Sequence, residues 1–188
     1  MKNKIKYLVL TITVISAALL SSCTTADNEV EWGLTKIYVP QAFTGTTFYA
    51  VPTGKNFSID SINNKINISL GVYRSGLQKL ESFSVQVAID NDTINTLIGS
   101  NIILKTVLMP SDMYTIPTSV IVPDGLRDVS FNLSLDKAKL TSFYNTPSNA
   151  GLSLALAVYI SNPTKYELNQ SISKVIIIVD VAKVLGLP

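Results

Sequence analysis

Asp90 and Asp92 are the most closely spaced acids beyond the N-terminal segment, and a carboxylate pair is the one hydrolytic apparatus this chain could assemble. Glycosidases place two Asp or Glu residues across the scissile bond, one as acid and the other as base or nucleophile. Two residues apart in an extended strand, Asp90 and Asp92 would share a face. The competing reading is a strand end followed by a helix cap, with Asp92 capping Thr93 to Ile98, because Asp is a favoured N-cap. Asp90-Asn91-Asp92 could also offer oxygens to calcium, which takes six to eight of them, but too few further acids lie nearby in sequence. The chain has 0 His and 1 Cys. Imidazole bases, zinc sites built on His or Cys and internal disulfides are thereby excluded. There is no Gly-x-Ser-x-Gly elbow to present an activated hydroxyl. No catalytic residue, metal or cofactor is expected, and binding is the better functional class.

Sugar rings present apolar faces that stack on aromatic side chains. Phe43, Phe48 and Tyr49 flank Gly45, and Phe143 and Tyr144 precede a loop at Pro147. These five are the candidate glycan-binding residues. Each cluster reads first as core and edge packing and second as a loop platform for a glycan.

Cys23 carries a different chemistry. Lys2, Lys4 and Lys6 form a positive segment, and Leu8 to Leu20 is apolar apart from scattered Thr and Ser, as in a secretory signal. The stretch is short for a membrane span, which needs about 20 apolar residues. It ends in Leu20-Ser21-Ser22-Cys23, which resembles a bacterial lipobox and implies cleavage before Cys23, thioether lipidation and acylation of the new amino terminus. Several acyl chains on one residue would make a durable membrane anchor. Residues 24–31 are polar and acidic with little to bury, and read as a flexible tether. Trp32 is expected to pin that tether to the domain. The expected organisation is a signal peptide over residues 1–22, a lipidated Cys and tether over 23–33, and one domain over 34–188. Without Lys2, Lys4 and Lys6 the 15 basic residues become 12 against 13 acidic ones, a net charge of −1. That balance offers no electrostatic footprint for nucleic acid.

Strands must position whatever the domain does. Ile66, Ile68, Leu70 and Val72 alternate with small or polar residues, as do Phe83, Val85, Val87 and Ile89, and Phe131, Leu133 and Leu135. Leu152 to Ile160 repeats the pattern with Ala155 and Ala157 on the second face, and Val175 to Val179 is apolar on both faces and suits a central strand. Lys36 to Val39, Phe48 to Val51, Ile103 to Leu108 and Ser119 to Val122 are shorter candidates. Helical turns are expected after Asp92 and after Asp136, over Lys137 to Phe143. Pro123-Asp124-Gly125 is a turn, and residues 145–151 form a loop. Many short strands without a long amphipathic helix predict an all-β fold, an immunoglobulin-like antiparallel β-sandwich with one or two short helical turns. A barrel is the alternative.

The runs Ile37-Tyr38-Val39-Pro40-Gln41-Ala42, Gly71-Val72-Tyr73-Arg74-Ser75-Gly76, Met109-Pro110-Ser111-Asp112-Met113-Tyr114 and Val122-Pro123-Asp124-Gly125 resemble the adhesin-like domain of unknown function at the N-terminus of Bacteroidetes surface lipoproteins. The resemblance covers most of the chain after Trp32. It implies association with polysaccharide or host-glycan uptake loci, where a glycosidase or carbohydrate-binding domain often follows. This chain stops at Pro188 and departs from that longer architecture. The expected role is a non-catalytic adhesin or glycan-binding accessory protein, lipid-anchored in the outer membrane at the cell surface. Its expected partners are a glycan or host-matrix ligand and outer-membrane glycan-uptake proteins. Asp27, Glu29 and Glu31 are similar to the acidic surface-export signal of such lipoproteins. Asp60-Ser61-Ile62 and Asp92-Thr93-Ile94 resemble the O-glycosylation sequon of the same bacteria, making Ser61 and Thr93 candidate sites. Tyr73 and Arg74 are expected to serve a buried hydrogen bond and a surface charge respectively. The alternative role is a fimbrillin-like assembly subunit. Such subunits are typically matured by cleavage after a basic residue, and Arg74 and Arg127 both lie well inside the domain, which speaks against that route. A carboxylate-based glycosidase stands behind it.

Overall fold

The computed structural model describes residues 34–43, 48–76 and 79–187. The expectations placed on Cys23, the acidic tether and Trp32 therefore lie outside the described residues. Within them the chain runs β1 (Lys36–Tyr38), β2 (Tyr49–Val51), β3 (Phe57–Asp60), β4 (Lys65–Arg74), β5 (Phe83–Ile89) and α1 (Asn91–Gly99). It continues through β6 (Thr106–Leu108), β7 (Tyr114–Thr115), β8 (Ser119–Val122), β9 (Asp128–Asp136) and α2 (Lys137–Asn145). β10 (Ser153–Ser161), β11 (Glu167–Leu168), β12 (Lys174–Val179) and α3 (Val181–Leu185) complete it. One sheet has the order β11-β1-β4-β9-β7 with β3 also on β4, and the other the order β2-β12-β10-β5-β8 with β6 also on β10.

The alternation read from the sequence is the reason for the sandwich. Even-numbered residues of β4, from Ile66 to Val72, and Phe131, Leu133 and Leu135 of β9 face Val85, Val87, Leu154, Leu156, Val158, Val175 and Ile177 of the second sheet in one core. Ile66, Ile68 and Leu70 are fully buried, each contributing about 1.5–3 kcal/mol by leaving water. The second sheet also has a covered outer face. Ala155 and Ala157 of β10 carry so little volume that α1 settles against them through Ile94, with Ile176, Ile178 and Phe48 alongside. This accounts for the apolar character of both faces of β12.

Two details depart from expectation. The cap of α1 is Asp90, which accepts from Thr93 N at 3.0 Å, and the helix starts two residues before the expected Thr93. β1 with β11, β6 with β10 and β2 with β12 pair in parallel, so the sheets are not purely antiparallel. As expected, Pro123-Asp124-Gly125 is a turn separating the strands around Val120 and Val129, with Gly125 at φ +78°, and it carries the chain from one sheet to the other. Asp136 caps α2 as expected, accepting from Ala138 N and Lys139 N.

The residues carrying the family resemblance serve this architecture. Between the stretches of β4 paired with β1 and with β3, the Gln41 side chain stands in for a strand, its Oε1 accepting from Gly71 N at 3.0 Å and its Nε2 donating to Ser69 O at 3.4 Å. Gly76 has φ +85°, and a Cβ there would lie 2.8 Å from Thr35 Oγ1. Only glycine fits that crossing without moving the backbone.

Candidate functional site

The five aromatic candidates do not form one platform. Phe143 is buried in the main core, and Tyr144 packs half-buried against it from the same helix. Phe48 and Tyr49 are also half-buried, but adjacent positions in a strand face opposite ways. Phe48 packs under α1 and Tyr49 against the main core. Burial pushes the Tyr49 phenol up, opposed by its bond with Asn56. Phe43 closes a short 3₁₀ turn, Pro40–Phe43. A cavity of about 160 Å³ is lined by Phe143, Tyr144 and Asp180, and one of about 300 Å³ by Phe143, Met113 and Lys139. Neither reaches Phe48 or Tyr49.

Arg74 reverses its expected role. It continues the even-numbered, inward face of β4 and is only 1% exposed. Nη1 donates to Glu81 O at 2.6 Å and to Tyr166 Oη at 2.8 Å, and Nη2 donates to Leu126 O. The guanidinium lies 5.3 Å from the Phe83 ring centroid and 5.1 Å from that of Tyr166. Tyr166 Oη also accepts from Glu81 N and donates to Lys79 O. Carbonyl dipoles and ring faces thus hold the buried charge. Tyr73, on the outward face, pairs with Tyr38 at 5.2 Å between centroids.

Asp90 and Asp92 do not form an acid and base pair. Asp90 Oδ1 accepts from Thr93 N, while Oδ2 accepts from Thr93 Oγ1 at 2.7 Å and from Lys174 Nζ at 2.5 Å. The Lys174 and Thr93 bonds hold its carboxyl well below the ordinary carboxylate range, whereas a general acid needs a raised one. Among the described residues no group of three His, Cys, Asp or Glu side chains could hold a metal. The two candidate modification sites also differ. Ser61 is exposed in a tight turn organised by Asp60, whose Oδ1 accepts from Ile62 N and Asn63 N. The Thr93 hydroxyl donates to Asp90 and accepts from Lys174 Nζ at 2.9 Å.

The Asp90 and Lys174 pair forms one wall of a polar cleft of about 460 Å³ completed by Asn91, Asp92, Ile89 and Tyr159. Each part has a local cause. Asp90 N donates to Ala157 O at 2.9 Å, which fixes where α1 begins over the sheet. Beyond that point the outer face of β10 is uncovered, and Tyr159 stands there between Lys174 of β12 and Ala88 of β5. Its ring is half-buried, and among the described residues its hydroxyl has no hydrogen-bond partner. Gln86 and Asn162 extend the polar surface, with Asn162 Nδ2 donating to Gln86 Oε1 at 2.7 Å. A flat ring edged by amides, a carboxylate and an ammonium can stack on one face of a sugar while bonding its hydroxyls. Sequence reasoning passed over Tyr159, Lys174 and Asn162. The available signal was parity: Tyr159 shares the face of Ala155 and Ala157 and is the one large residue on it.

Residues 34–167 match a family model described as "-like, N-terminal domain". No curated protein matches the chain. Solved structures do share its fold. A Bacteroides ovatus protein of unknown function matches with TM-score 0.51 and 16% identity, over 78% of this chain and 46% of its own. A two-domain Bacteroides fragilis protein of unknown function matches with TM-score 0.51 and 11% identity, over 78% of this chain and 45% of its own. A Bacteroides ovatus protein provisionally described as carbohydrate binding matches with TM-score 0.50 and 10% identity, over 77% of this chain and 36% of its own. The matched fold thus spans less than half of each of these proteins. At such identities the likeness is one of fold.

Proposed function

We propose that this chain, which belongs to the N-terminal-domain family matched over residues 34–167 and to the Bacteroidetes domains its motifs resembled, is a lipid-tethered, non-catalytic glycan-binding accessory protein. The observation that carries the reading is the Tyr159 cleft, an aromatic ring whose hydroxyl has no partner among the described residues, set among polar side chains on a sheet face. A strand in the middle of a sheet holds a binding surface more steadily than a loop could. The provisional carbohydrate-binding description belongs to one neighbour of the same fold, and the same ligand class is proposed for this chain. The tether reading rests on Leu20-Ser21-Ser22-Cys23, and the surface location on Asp27, Glu29 and Glu31.

The test is a screen of the protein from Thr24 onward against immobilised polysaccharides, with Tyr159→Ala beside the wild type. Loss of one stacking face is worth about 0.5–1.5 kcal/mol, so binding should weaken about 2- to 12-fold at an unchanged melting temperature. Unchanged affinity in a folded Tyr159→Ala protein would remove the cleft from the reading. New reducing ends in any polysaccharide that binds would overturn the non-catalytic assignment.

A further inference from the structure

The cleft at Asp90 does not end at Tyr159. A second hollow of about 560 Å³ lies beyond β10, lined by Ser161, Asn162, Glu167, Gln170 and others, and Tyr159 and Lys174 are walls of both. The two hollows have the Tyr159 and Lys174 side chains in common, so a ligand seated against that ring has a recess on either side to continue into. A blind pocket would accept a chain end, whereas this shape accepts the interior of an extended chain.

The charges along the groove select among such chains. Its one ammonium among the described residues, Lys174, is paired with Asp90 at 2.5 Å and also donates to Thr93 Oγ1 at 2.9 Å. A lysine held in this way is not free to receive a carboxylate or sulfate. Glu167 is paired with Lys36 at 2.6 Å. Asp92 is exposed and in no ion pair among the described residues. Among the described residues every other carboxylate along the groove has a cation, so their unbalanced charge facing a ligand is negative. The remaining polar groups, Asn91, Asn162 and Gln170 among them, are neutral amides that both donate and accept, which suits hydroxyls.

We propose, resting on the glycan-binding reading above, that this groove takes the interior of an extended, uncharged glycan and disfavours uronates and sulfated sugars through Asp92. Two unit charges about 4 Å apart in water repel by about 1 kcal/mol, a factor of about five in affinity. Salt screens such an exposed interaction.

Affinity gel electrophoresis of the protein from Thr24 onward tests this with laminarin, mannan, galactan and arabinan as neutral probes. The polymer that retains the protein most is then lightly carboxymethylated, which adds charge to an unchanged backbone. The wild type should lose about fivefold in retention by the charged form at 20 mM salt and little at 300 mM. Asp92→Asn should remove that loss, and Asp92→Lys should reverse it, each read as the ratio of retention by the charged form to retention by the neutral form of the same variant. Equal or stronger retention of the wild type by the charged form, or a loss that Asp92→Asn leaves intact, would overturn the inference and leave glycan binding standing. Retention by none of the polymers would overturn both.

Discussion

Replacing Arg74 with Met tests the central claim about what the buried guanidinium contributes between β4, Glu81, Leu126 and Tyr166. The change removes three donated hydrogen bonds and leaves the carbonyls of Glu81 and Leu126 facing an apolar side chain. Each orphaned buried acceptor costs about 1–3 kcal/mol. Loss of the contacts with the Phe83 and Tyr166 rings adds about 0.5–2 kcal/mol for each. Against these, Met fills much of the volume and no buried charge need be desolvated. The net loss expected is about 3–5 kcal/mol, a large part of the roughly 5–15 kcal/mol that a domain possesses. At about 2–4 °C per kcal/mol, the melting temperature should fall by roughly 6–20 °C. Urea unfolding followed by far-UV circular dichroism measures this directly, with the slope against urea unchanged if only the native state is affected. Arg74→Lys should recover less than half of the loss, because one ammonium cannot reach Glu81, Leu126 and Tyr166 with a fork's geometry. Tyr166→Phe should cost about 1–2 kcal/mol by itself and be non-additive with Arg74→Met. A loss below about 1 kcal/mol in Arg74→Met, or full rescue by Lys, would refute the account of this node.

Asp90→Asn should lose about 1–2 kcal/mol at neutral pH by breaking the bond with Lys174, read by the same urea titration. Because the Asp90 carboxyl is held below its ordinary value, its contribution is complete above about pH 4 and is lost as pH falls further, so the variant should show a shallower acid limb. With 0 His, wild-type stability should be flat between about pH 5 and 8. Cys23→Ala should abolish incorporation of an alkyne fatty acid, and replacing Asp27, Glu29 and Glu31 by Ala should leave a lipidated protein shielded from proteinase on intact cells. Intact-mass measurement of native protein should show a glycan lost in Ser61→Ala and retained in Thr93→Ala, since the Thr93 hydroxyl is held between Asp90 and Lys174.

The long strands were legible because a period of two, sustained over seven to ten residues, has one structural meaning when one face must be buried. β5 and β8 have the bounds their patterns indicate, Phe83–Ile89 and Ser119–Val122. The elements that escaped are short. β3 alternates over only four residues, too few to mark a strand, and its Ile59 is exposed, while β11 has two residues and α3 only five. Parallel pairing of β1, β2 and β6 leaves no local trace, since register over three residues is set by the neighbouring sheet rather than by the strand's own pattern. The cap of α1 was misplaced by two residues because Asp90 and Asp92 are chemically equivalent candidates. Only the tertiary contacts of Asp90, with Ala157 O behind it and Lys174 beside it, decide between them.

Arg74 and Tyr159 show how the same rule carries beyond secondary structure. Counting by twos from Ile66 puts residue 74 on the inward face, so a buried arginine was already implied by the pattern that identified the strand. Its residue type argued for the surface, and parity prevailed because Glu81, Leu126 and Tyr166 supply acceptors for Nη1 and Nη2 and Phe83 and Tyr166 supply ring faces, although Nε has no partner among the described residues. Counting by twos from Ala155 puts residue 159 on the outward face. There the small residues end, the covering helix begins at Asp90, and a tyrosine stands uncovered. What parity could not supply was the partner strand: Lys174 lies beside Tyr159 through the register of β12 on β10, and Asp90 reaches it from β5. The aromatic residues near loops were the conspicuous candidates, yet those described are half-buried or in the core, because a ring beside a chain reversal is well placed to close the end of a sandwich. On a two-faced strand whose outer neighbours are alanines, one tyrosine is the more informative residue.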